Sequence, residues 1–334
     1  MTMLVPYVGS GGAADVGCGA SPSGRSLEIV FRMRDGEQRV SPGTRADALA
    51  IVCARLRALG MGGKVSAFGG RRLRVVLPYP EQDGERQRTI EQIGATGQLH
   101  FYDWEPNLIG REHRIGGDPR PSAPAGPLSR ARREWRGAGR DPDDPAYARL
   151  IRSGAFPTAR GAAKLASRAP FDTVIVSERA IGGDGRIVRG LAPGWYALRD
   201  RPALSGADIV DPRQETDELG LPNVTFSFTK EGRVAFEQVT RAIARRGQAR
   251  ARGPVTLREA EELSGHFVLV FDGEVKTRPI INFAENPVGI DGRTGAQISG
   301  GFSSVQDARD LATILRIGAL PIKLLLTSQR MIER

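Results

Sequence analysis

The sequence is poor in the residues from which many active sites are built. Cysteine occurs only twice and histidine only three times in 334 residues. Cys18 lies in a glycine-rich leader and Cys53 in a predicted helix, so we expect no disulfide framework, and no zinc-ligand spacing is present. His100, His113 and His266 do not stand at metal-ligand spacings either, and two of them flank predicted strands, where a structural role is expected. No metal site is predicted.

Long apolar runs are also missing. No stretch approaches the roughly 18 apolar residues that a membrane-spanning helix requires. The N-terminus lacks both the charged segment and the long apolar segment of a secretory signal peptide. Residues 1–24 are rich in glycine and small residues and are predicted to form a disordered leader. We therefore expect neither a membrane helix nor a signal peptide in this chain.

Catalytic motifs are equally scarce. The glycine-rich stretches near residues 9 and 182 have neither the Lys-Ser/Thr of a phosphate-binding loop nor the strand and helix of a dinucleotide site. Acidic pairs at 141–144 and 217–220 fall in predicted loops, where solvated turns are the usual explanation. No nucleophile elbow surrounds the candidate serines Ser264, Ser299 and Ser303. The sequence predicts no catalytic residue, no cofactor and no enzyme.

Positive charge, by contrast, is abundant and comes almost entirely from arginine. The net charge is +10, and only five of the 48 basic residues are lysine. An arginine surplus suits partners with a negative surface, such as nucleic acid, anionic lipid or acidic polypeptide, although a GC-rich genome also encodes arginine by default. Two tracts, 130–140 and 241–253, are the most basic. In the first tract Trp135 is the one aromatic residue, so the basic-plus-aromatic pattern of a nucleic-acid-binding groove is weak. The second tract lies at the C-terminal end of a predicted helix, where positive charges are favourable.

Hydrophobic periodicity organises the two halves of the chain into similar units. In residues 25–105 it predicts strand, helix, strand, helix and strand, with Thr44 capping the first helix and Gly60 ending it. Such an order within about eighty residues is typical of an open-faced α/β sandwich, and hence of an α+β protein. Residues 106–222 are rich in proline, glycine and arginine and are predicted to be irregular, with one helix near 146–153 and strands returning towards the end.

The rhythm resumes over residues 223–326. A strand with Val224, Phe226 and Phe228 on one face precedes a helix at 233–247, and a hairpin follows that turns at Asp272-Gly273. A second helix at 304–317 is predicted to bury Leu311 and Leu315 and to be followed by a strand at 322–326. The strands at 27–33 and 322–326 are expected to lie in connected sheets. Residues 327–334 are predicted to be a tail.

These segments resemble a known family. The stretches "VTFSFTKEGRVAFEQVT", "FVLVFDGEVKTRPIIN" and "GAQISGGFSSVQDARDLATILRIGALP" are similar to the periplasmic P1 domain of SecD, a subunit of the Sec preprotein translocase. The Gly-Ala-Leu-Pro ending is the most specific part. In the first half, "ARLRALGMGGKVSAFGGRRLRVVLPYP" and "IGATGQLHFYD" resemble the first P1 segment. The resemblance covers about 26–105 and 190–326. The membrane helices of the family are absent from this sequence, and its Gly-Leu-Asp-Leu-x-Gly-Gly signature is replaced by "SLEIVFRMRDGEQ".

The resemblance implies a ferredoxin-like α/β sandwich base with an inserted, loop-rich head subdomain. It places the base in 25–105, part of the head in 106–222 and the rest of head and base in 223–326, with the tail leading towards a membrane helix. It also implies a non-enzymatic role in preprotein translocation, in which the domain binds emerging polypeptide on the extracytoplasmic side of the membrane and the proton motive force drives the full complex. The implied partners are unfolded preprotein and membrane subunits of the SecF and SecYEG type, with no specific nucleic acid.

Two main alternatives for function therefore stand, beside a weaker third option, an enzyme whose site the sequence hides. The first is the translocase domain, for which the exposed apolar groups of "GLAPGWYALRD", including Trp195 and Tyr196, are candidate polypeptide contacts; ordinary core packing is the simpler role for Trp195. The second is an arginine-rich nucleic-acid-binding module on a ferredoxin-like scaffold.

Overall fold

A computed structural model describes residues 15–18, 22–34, 40–109, 125–170, 172–180, 187–188, 190–299 and 301–333. Most of the predicted leader, His113 and the glycine-rich stretches near residues 9 and 182 lie outside the described residues. The strands are β1 (Asp15–Gly17), β2 (Arg25–Arg34), β3 (Lys64–Phe68), β4 (Arg72–Pro78), β5 (Leu99–Asp103), β6 (Thr173–Glu178), β7 (Gly194–Arg199), β8 (Leu204–Ser205), β9 (Ile209–Thr216), β10 (Pro222–Phe228), β11 (Gly265–Phe271), β12 (Glu274–Thr277), β13 (Ile280–Ile281), β14 (Ala296–Ser299) and β15 (Lys323–Glu333).

The helices are α1 (Pro42–Ala58), α2 (Asp83–Gly94), α3 (Trp104–Asn107), α4 (Ala125–Gly137), α5 (Pro145–Arg152), α6 (Ala159–Ala166), α7 (Lys230–Arg250), α8 (Leu257–Leu263) and α9 (Val305–Ile317). This mixture of helices with several sheets makes the protein α+β, as the sequence predicts. The chain divides into two compact units, which we call unit 1 (1–97 and 317–334) and unit 2 (98–316). None of the helices in the described ranges combines the length and apolar character needed to cross a bilayer.

Unit 1 is a sheet covered by two helices. Its strands lie in the order β1-β3-β4-β2-β15, and every pair is antiparallel. Alternate residues of β2 point into the core, which also receives the buried side of α1 and α2. The predicted strands at 27–33 and 322–326 are indeed neighbours, with Leu324 opposite Met33 and Leu326 opposite Phe31. β15 continues to Glu333, so the predicted tail is largely strand in this structure.

Helix α1 begins three residues earlier than the sequence suggests. Ser41, not Thr44, is the N-cap, and its hydroxyl accepts a hydrogen bond from the Thr44 backbone N–H, with Pro42 at the first helical position. The helix still ends where a glycine permits left-handed backbone, since Gly60 has φ +69°. The side of α1 that faces the core includes Ala48, Leu49, Val52 and Leu56, all of which are buried.

The two cysteines of unit 1 form a disulfide, so the prediction of no disulfide was wrong. Cys18 and Cys53 have Cα atoms 5.1 Å apart, and both are about 1% exposed. The bond joins the segment after β1 to the middle of α1. Sequence spacing alone gave no sign of the pair, because the two residues are brought together by the docking of β1 on the sheet.

Unit 2 contains the remaining two sheets. The larger has the order β7-β6-β12-β11-β5-β8, with β13 also paired to β11, and the smaller has the order β14-β10-β9. The predicted hairpin joins β11 and β12, and Asp272 and Gly273 both take positive φ at its turn (48° and 79°). Helix α7 buries Phe236, Val239 and Ile243, whereas Val234 near its N-terminal end is 52% exposed.

Helix α9 buries a slightly different face from the one predicted. Leu311 is buried, but Leu315 is only half-buried, and Ile314 is buried in its place. Ile314 and Leu315 follow Leu311 by three and four positions, so they lie on either side of the helix face on which Leu311 is central. Helical periodicity alone therefore did not decide which of the two is buried. The expectation that Leu315 is fully buried was therefore wrong.

This difference makes a prediction about stability. Leu311→Ala and Ile314→Ala should each lower the free energy of unfolding by about 2–4 kcal/mol, because both leave cavities in the core. Leu315→Ala should cost less than either. Arg309→Ala, at an exposed position, is the control and should stay within about 0.5 kcal/mol of the parent in urea denaturation. A Leu315 variant as destabilised as the Leu311 variant would contradict this description of α9.

Candidate functional site

The predicted polypeptide contacts lie next to each other on β7. Tyr196 is fully buried, whereas Trp195 points the other way and is partly exposed. The backbone of Trp195 pairs with Phe156 through two hydrogen bonds of 2.7 and 2.9 Å. Only Trp195 of the pair therefore offers side-chain surface to a partner, and its contact with polypeptide stays a prediction.

Tyr196 instead belongs to a buried polar network. Its hydroxyl donates to Glu178 Oε2 at 2.6 Å and lies 2.5 Å from the hydroxyl of Ser153, at the end of α5. Arg278 Nη2 lies 3.1 and 3.2 Å from the two oxygens of Glu178, and its guanidinium stands over the ring of Trp104 at 5.4 Å. The network fastens β6, β7, α5 and the segment after β12 to one another.

Burial keeps this tyrosine protonated. It raises the pKa of Tyr196 well above its usual value, and the neighbouring Glu178 carboxylate raises it further. A protonated hydroxyl is what the carboxylate needs as a donor. The arrangement stabilises structure and offers no accessible reacting group.

A more accessible feature is the outer face of the three-stranded sheet. The buried apolar side chains of β10 are Val224, Phe226 and Phe228, so the intervening Thr225 and Ser227 face outwards. An open groove of about 430 Å³ lies over this part of unit 2. Its lining comes from all three strands and the turn before β14: Asp211, Arg213, Glu215, Thr225, Phe226, Ser227, Thr294, Gly295, Ala296 and Gln297. We call it the sheet groove.

The sheet groove has the properties of a surface for extended chain. It is open to solvent, and hydroxyl, amide and charged groups are spread over it rather than gathered at one point. Exposed apolar side chains also occur on β9 and on the β9–β10 turn, since Val210 is 44% exposed and Leu219 is 83% exposed. Sequence reasoning missed this groove. The alternation of β10 was visible in the sequence, but its pairing with β9 and β14 was not.

The two basic tracts are largely engaged within unit 2. In the first, Trp135 is fully buried, Arg140 packs over its ring at 5.1 Å, and Arg136 pairs with Asp143 at 3.2 Å. In the second, Arg241 and Arg246 form ion pairs with acidic residues of the unit. A buried tryptophan cannot stack on a base, and paired guanidinium groups are less available to phosphates. The burial of Trp135 removes the aromatic group that made the first tract a candidate stacking groove.

The described histidines have structural contacts. His266 Nδ1 lies 2.7 Å from Glu105 Oε1, and the His266 backbone N–H also donates to that carboxylate. Burial raises the pKa of Glu105, but the hydrogen bonds and charge of His266 outweigh this and hold the pKa below its usual value. His100 packs edge-on against Tyr102. Within the described ranges no group of His, Cys, Asp and Glu side chains is placed to hold a metal ion.

Much of unit 2 matches a known protein family. Residues 186–322 match the family model of the SecDF P1 head subdomain. The matched part contains β9, β10 and β14, and with them the whole lining of the sheet groove. It also contains β7, β11, β12 and the helices α7 and α9.

Individual relatives agree with this assignment. The protein translocase subunit SecDF of Thermus thermophilus is 35% identical over 123 residues, which is 37% of this chain and 13% of the relative. The SecD subunit of Rhodobacter capsulatus is 35% identical over 140 residues, 42% of this chain and 21% of the relative. The aligned part thus spans about a fifth or less of these relatives.

A solved structure shares the fold. A crystal structure of SecDF in its super-membrane-facing form superimposes with a TM-score of 0.51 and 24% sequence identity, covering 92% of this chain and 30% of that one. The family match at residues 186–322 and the SecD and SecDF sequence relatives confirm the resemblance to the SecD P1 domain that the sequence predicts, and the solved SecDF structure shares the fold.

Proposed function

We propose that this chain assists protein translocation by binding unfolded polypeptide along unit 2, as a non-enzymatic P1-like domain of a SecD-type translocase subunit. The observation that carries the proposal is the match of residues 186–322 to the P1 head subdomain, in the part of the chain that holds the sheet groove. A chain in transit must bind weakly and independently of sequence. Open strand surface with scattered polar groups suits this better than a deep pocket.

Unit 1 corresponds in this proposal to a ferredoxin-like base into which the head is inserted. Two features support this assignment. Leaving aside β1, the elements of unit 1 run β2-α1-β3-β4-α2-β15, and the strands lie in the order β3-β4-β2-β15, which is the split βαβ arrangement of ferredoxin-like domains. Unit 2 leaves unit 1 after residue 97 and returns to it at residue 317.

The disulfide supports an extracytoplasmic location. Disulfides persist in oxidising compartments such as the periplasm and are rare where the cell keeps thiols reduced. The buried Cys18–Cys53 bond is therefore consistent with a domain on the trans side of the membrane. In the full complex we propose membrane subunits of the SecF and SecYEG type as partners and the proton motive force as the energy source.

The polypeptide-binding proposal predicts micromolar or weaker affinity for an unfolded model peptide, measured by fluorescence anisotropy. Ser227→Trp places a large side chain on the exposed floor of the sheet groove and should weaken binding at least about tenfold, because it occupies the space where the peptide lies. Ser303→Trp is the matched control: Ser303 is also exposed but is not part of the groove lining, so this variant should bind like the parent. Equal binding by both variants would exclude the sheet groove as the contact.

The salt dependence of oligonucleotide binding distinguishes the nucleic-acid alternative from the proposed function. A protein that tracks phosphates loses affinity steeply as salt rises, because it releases counterions. A gel shift of single-stranded oligonucleotides at low and high salt should show no saturable complex with unit 2's tracts, 130–140 and 241–253. Tight binding with a steep salt slope that is lost on substituting those arginines would support the alternative instead.

A further inference from the structure

The sheet of unit 1 has two very different faces. One face packs on α1 and α2 and contains Leu27, Ile29, Phe31 and their apolar neighbours. Alternation and strand register place the intervening residues on the opposite face. This second face receives six cationic side chains from β2, β4 and β15, and we call it the basic face: Arg32, Arg34, Arg72, Arg74, Lys323 and Arg330.

Within β2, β4 and β15, the strands that supply these six cations, the register places one carboxylate on the basic face. Glu28 is buried and forms ion pairs with Arg74 and Arg330. Burial raises the pKa of Glu28, but the hydrogen bonds and charges of the two arginines outweigh this and hold the pKa below its usual value. The other four cations, Arg32, Arg34, Arg72 and Lys323, are exposed, and no carboxylate of the described residues lies within ion-pair distance of them.

These four cations also stand directly opposite one another. The register pairs Arg32 with Arg72 and Arg34 with Lys323, so two like-charge pairs face each other across neighbouring strands. Like charges at directly opposed positions destabilise a sheet. Such an arrangement lowers the stability of the isolated unit, and anions arriving from outside relieve the repulsion.

The chemistry of the face favours phosphate groups presented by a surface. Guanidinium groups bind phosphate through two parallel hydrogen bonds. Single-stranded nucleic acid would need exposed rings for base stacking. The described strands place the ring of Phe68 on this face, at the end of β3. The Arg72 guanidinium lies 5.7 Å from the centre of that ring.

We propose that the basic face docks on the anionic phospholipid headgroups of a membrane. The choice of a membrane as occupant rests on the proposed function at a translocase, whereas the preference for phosphate comes from the charges themselves. Each basic residue near an anionic membrane surface strengthens binding severalfold, and salt screens the attraction within a Debye length.

The full chain can be tested by co-sedimentation with vesicles of phosphatidylglycerol and phosphatidylcholine, or of phosphatidylcholine alone. We expect binding to the anionic vesicles only, and its loss at high salt. Arg32→Glu with Arg72→Glu should weaken it at least about tenfold. Arg160→Glu with Arg168→Glu makes the same change of charge at exposed positions of unit 2 and should leave binding within about twofold of the parent.

A single substitution gives an independent readout. Arg72→Glu places a carboxylate opposite Arg32, so it should raise the melting temperature of unit 1 while weakening vesicle binding. If the basic face had only a structural role, a substitution that raises the melting temperature would not also weaken vesicle binding. Equal binding to neutral vesicles, equal loss in both double variants, or tighter binding of a single-stranded oligonucleotide than of anionic vesicles would each overturn the proposal. Because the peptide assay uses no lipid, failure here with intact peptide binding would refute membrane docking alone.

Discussion

Arg278→Ala should lower the free energy of unfolding of unit 2 by about 3–5 kcal/mol. Glu178 is 8% exposed, and Arg278 is its ion-pair partner in the described structure. Removing one member of a buried pair leaves an uncompensated charge, which costs far more than the pair itself contributes. The substitution also removes the guanidinium that packs over Trp104. Urea denaturation followed by tryptophan fluorescence measures the loss.

Two companion variants identify the cause. Glu178→Leu combined with Arg278→Met removes both charges and should be less destabilised than Arg278→Ala alone, because no buried ion remains. Tyr196→Phe removes one hydrogen bond to the carboxylate and should cost about 1–3 kcal/mol. A loss below about 1 kcal/mol in Arg278→Ala would show that water reaches Glu178 and that the network does not hold the strands together.

Loss of the Cys18–Cys53 disulfide should cost unit 1 about 2–4 kcal/mol. The bond closes a loop with a sequence separation of 35, and cross-links of this length typically stabilise by that amount. Cys18→Ala with Cys53→Ala is preferred to serine, since both sites are buried and a serine hydroxyl would need a partner there. Hydrogen exchange separates the two units: protection of β2 and β15 should fall, while protection of β11 in unit 2 should not.

Reduction of the parent protein provides the control. A thiol reductant should reproduce the loss of protection in the parent and have no effect on the double alanine variant. Two free thiols in protein isolated under non-reducing conditions, or an unchanged unit 1 in the alanine variant, would contradict the disulfide and the location that it supports.

The sequence predicted strongly periodic strands and helices better than it predicted which strands pair with one another. The strand at β2, the helices α1, α7 and α9 and the turn at Asp272-Gly273 follow from local patterns of apolar residues and turn chemistry. β3 was missed because it is short and lies between the glycine pairs 62–63 and 69–70. Helices α4 and α6 were missed because both lie in the stretch 106–222, whose proline, glycine and arginine content predicted irregular structure.

The functional surfaces depend on pairing, which local patterns do not determine. Thr225 and Ser227 become the floor of a groove only when β9 and β14 lie on either side of β10. Arg32 and Arg72 become a like-charge pair only through the register of β2 and β4. The arginine surplus was visible in the composition, but its concentration on one sheet face was not. Similarly, the polarity of "GLAPGWYALRD" did not reveal that Tyr196 turns inwards and Trp195 outwards.

The most direct test of the translocase account is photo-crosslinking in cells of the source organism during export of a preprotein arrested in transit. Single photoreactive residues replace Ser227 in the sheet groove, Trp195 on β7, and exposed Arg160 on α6 as the control. The account predicts crosslinks to the arrested chain from position 227 or 195 that disappear when the preprotein is released, and none from position 160. Equal labelling from all three positions, or none from any while the chain is arrested, would contradict it.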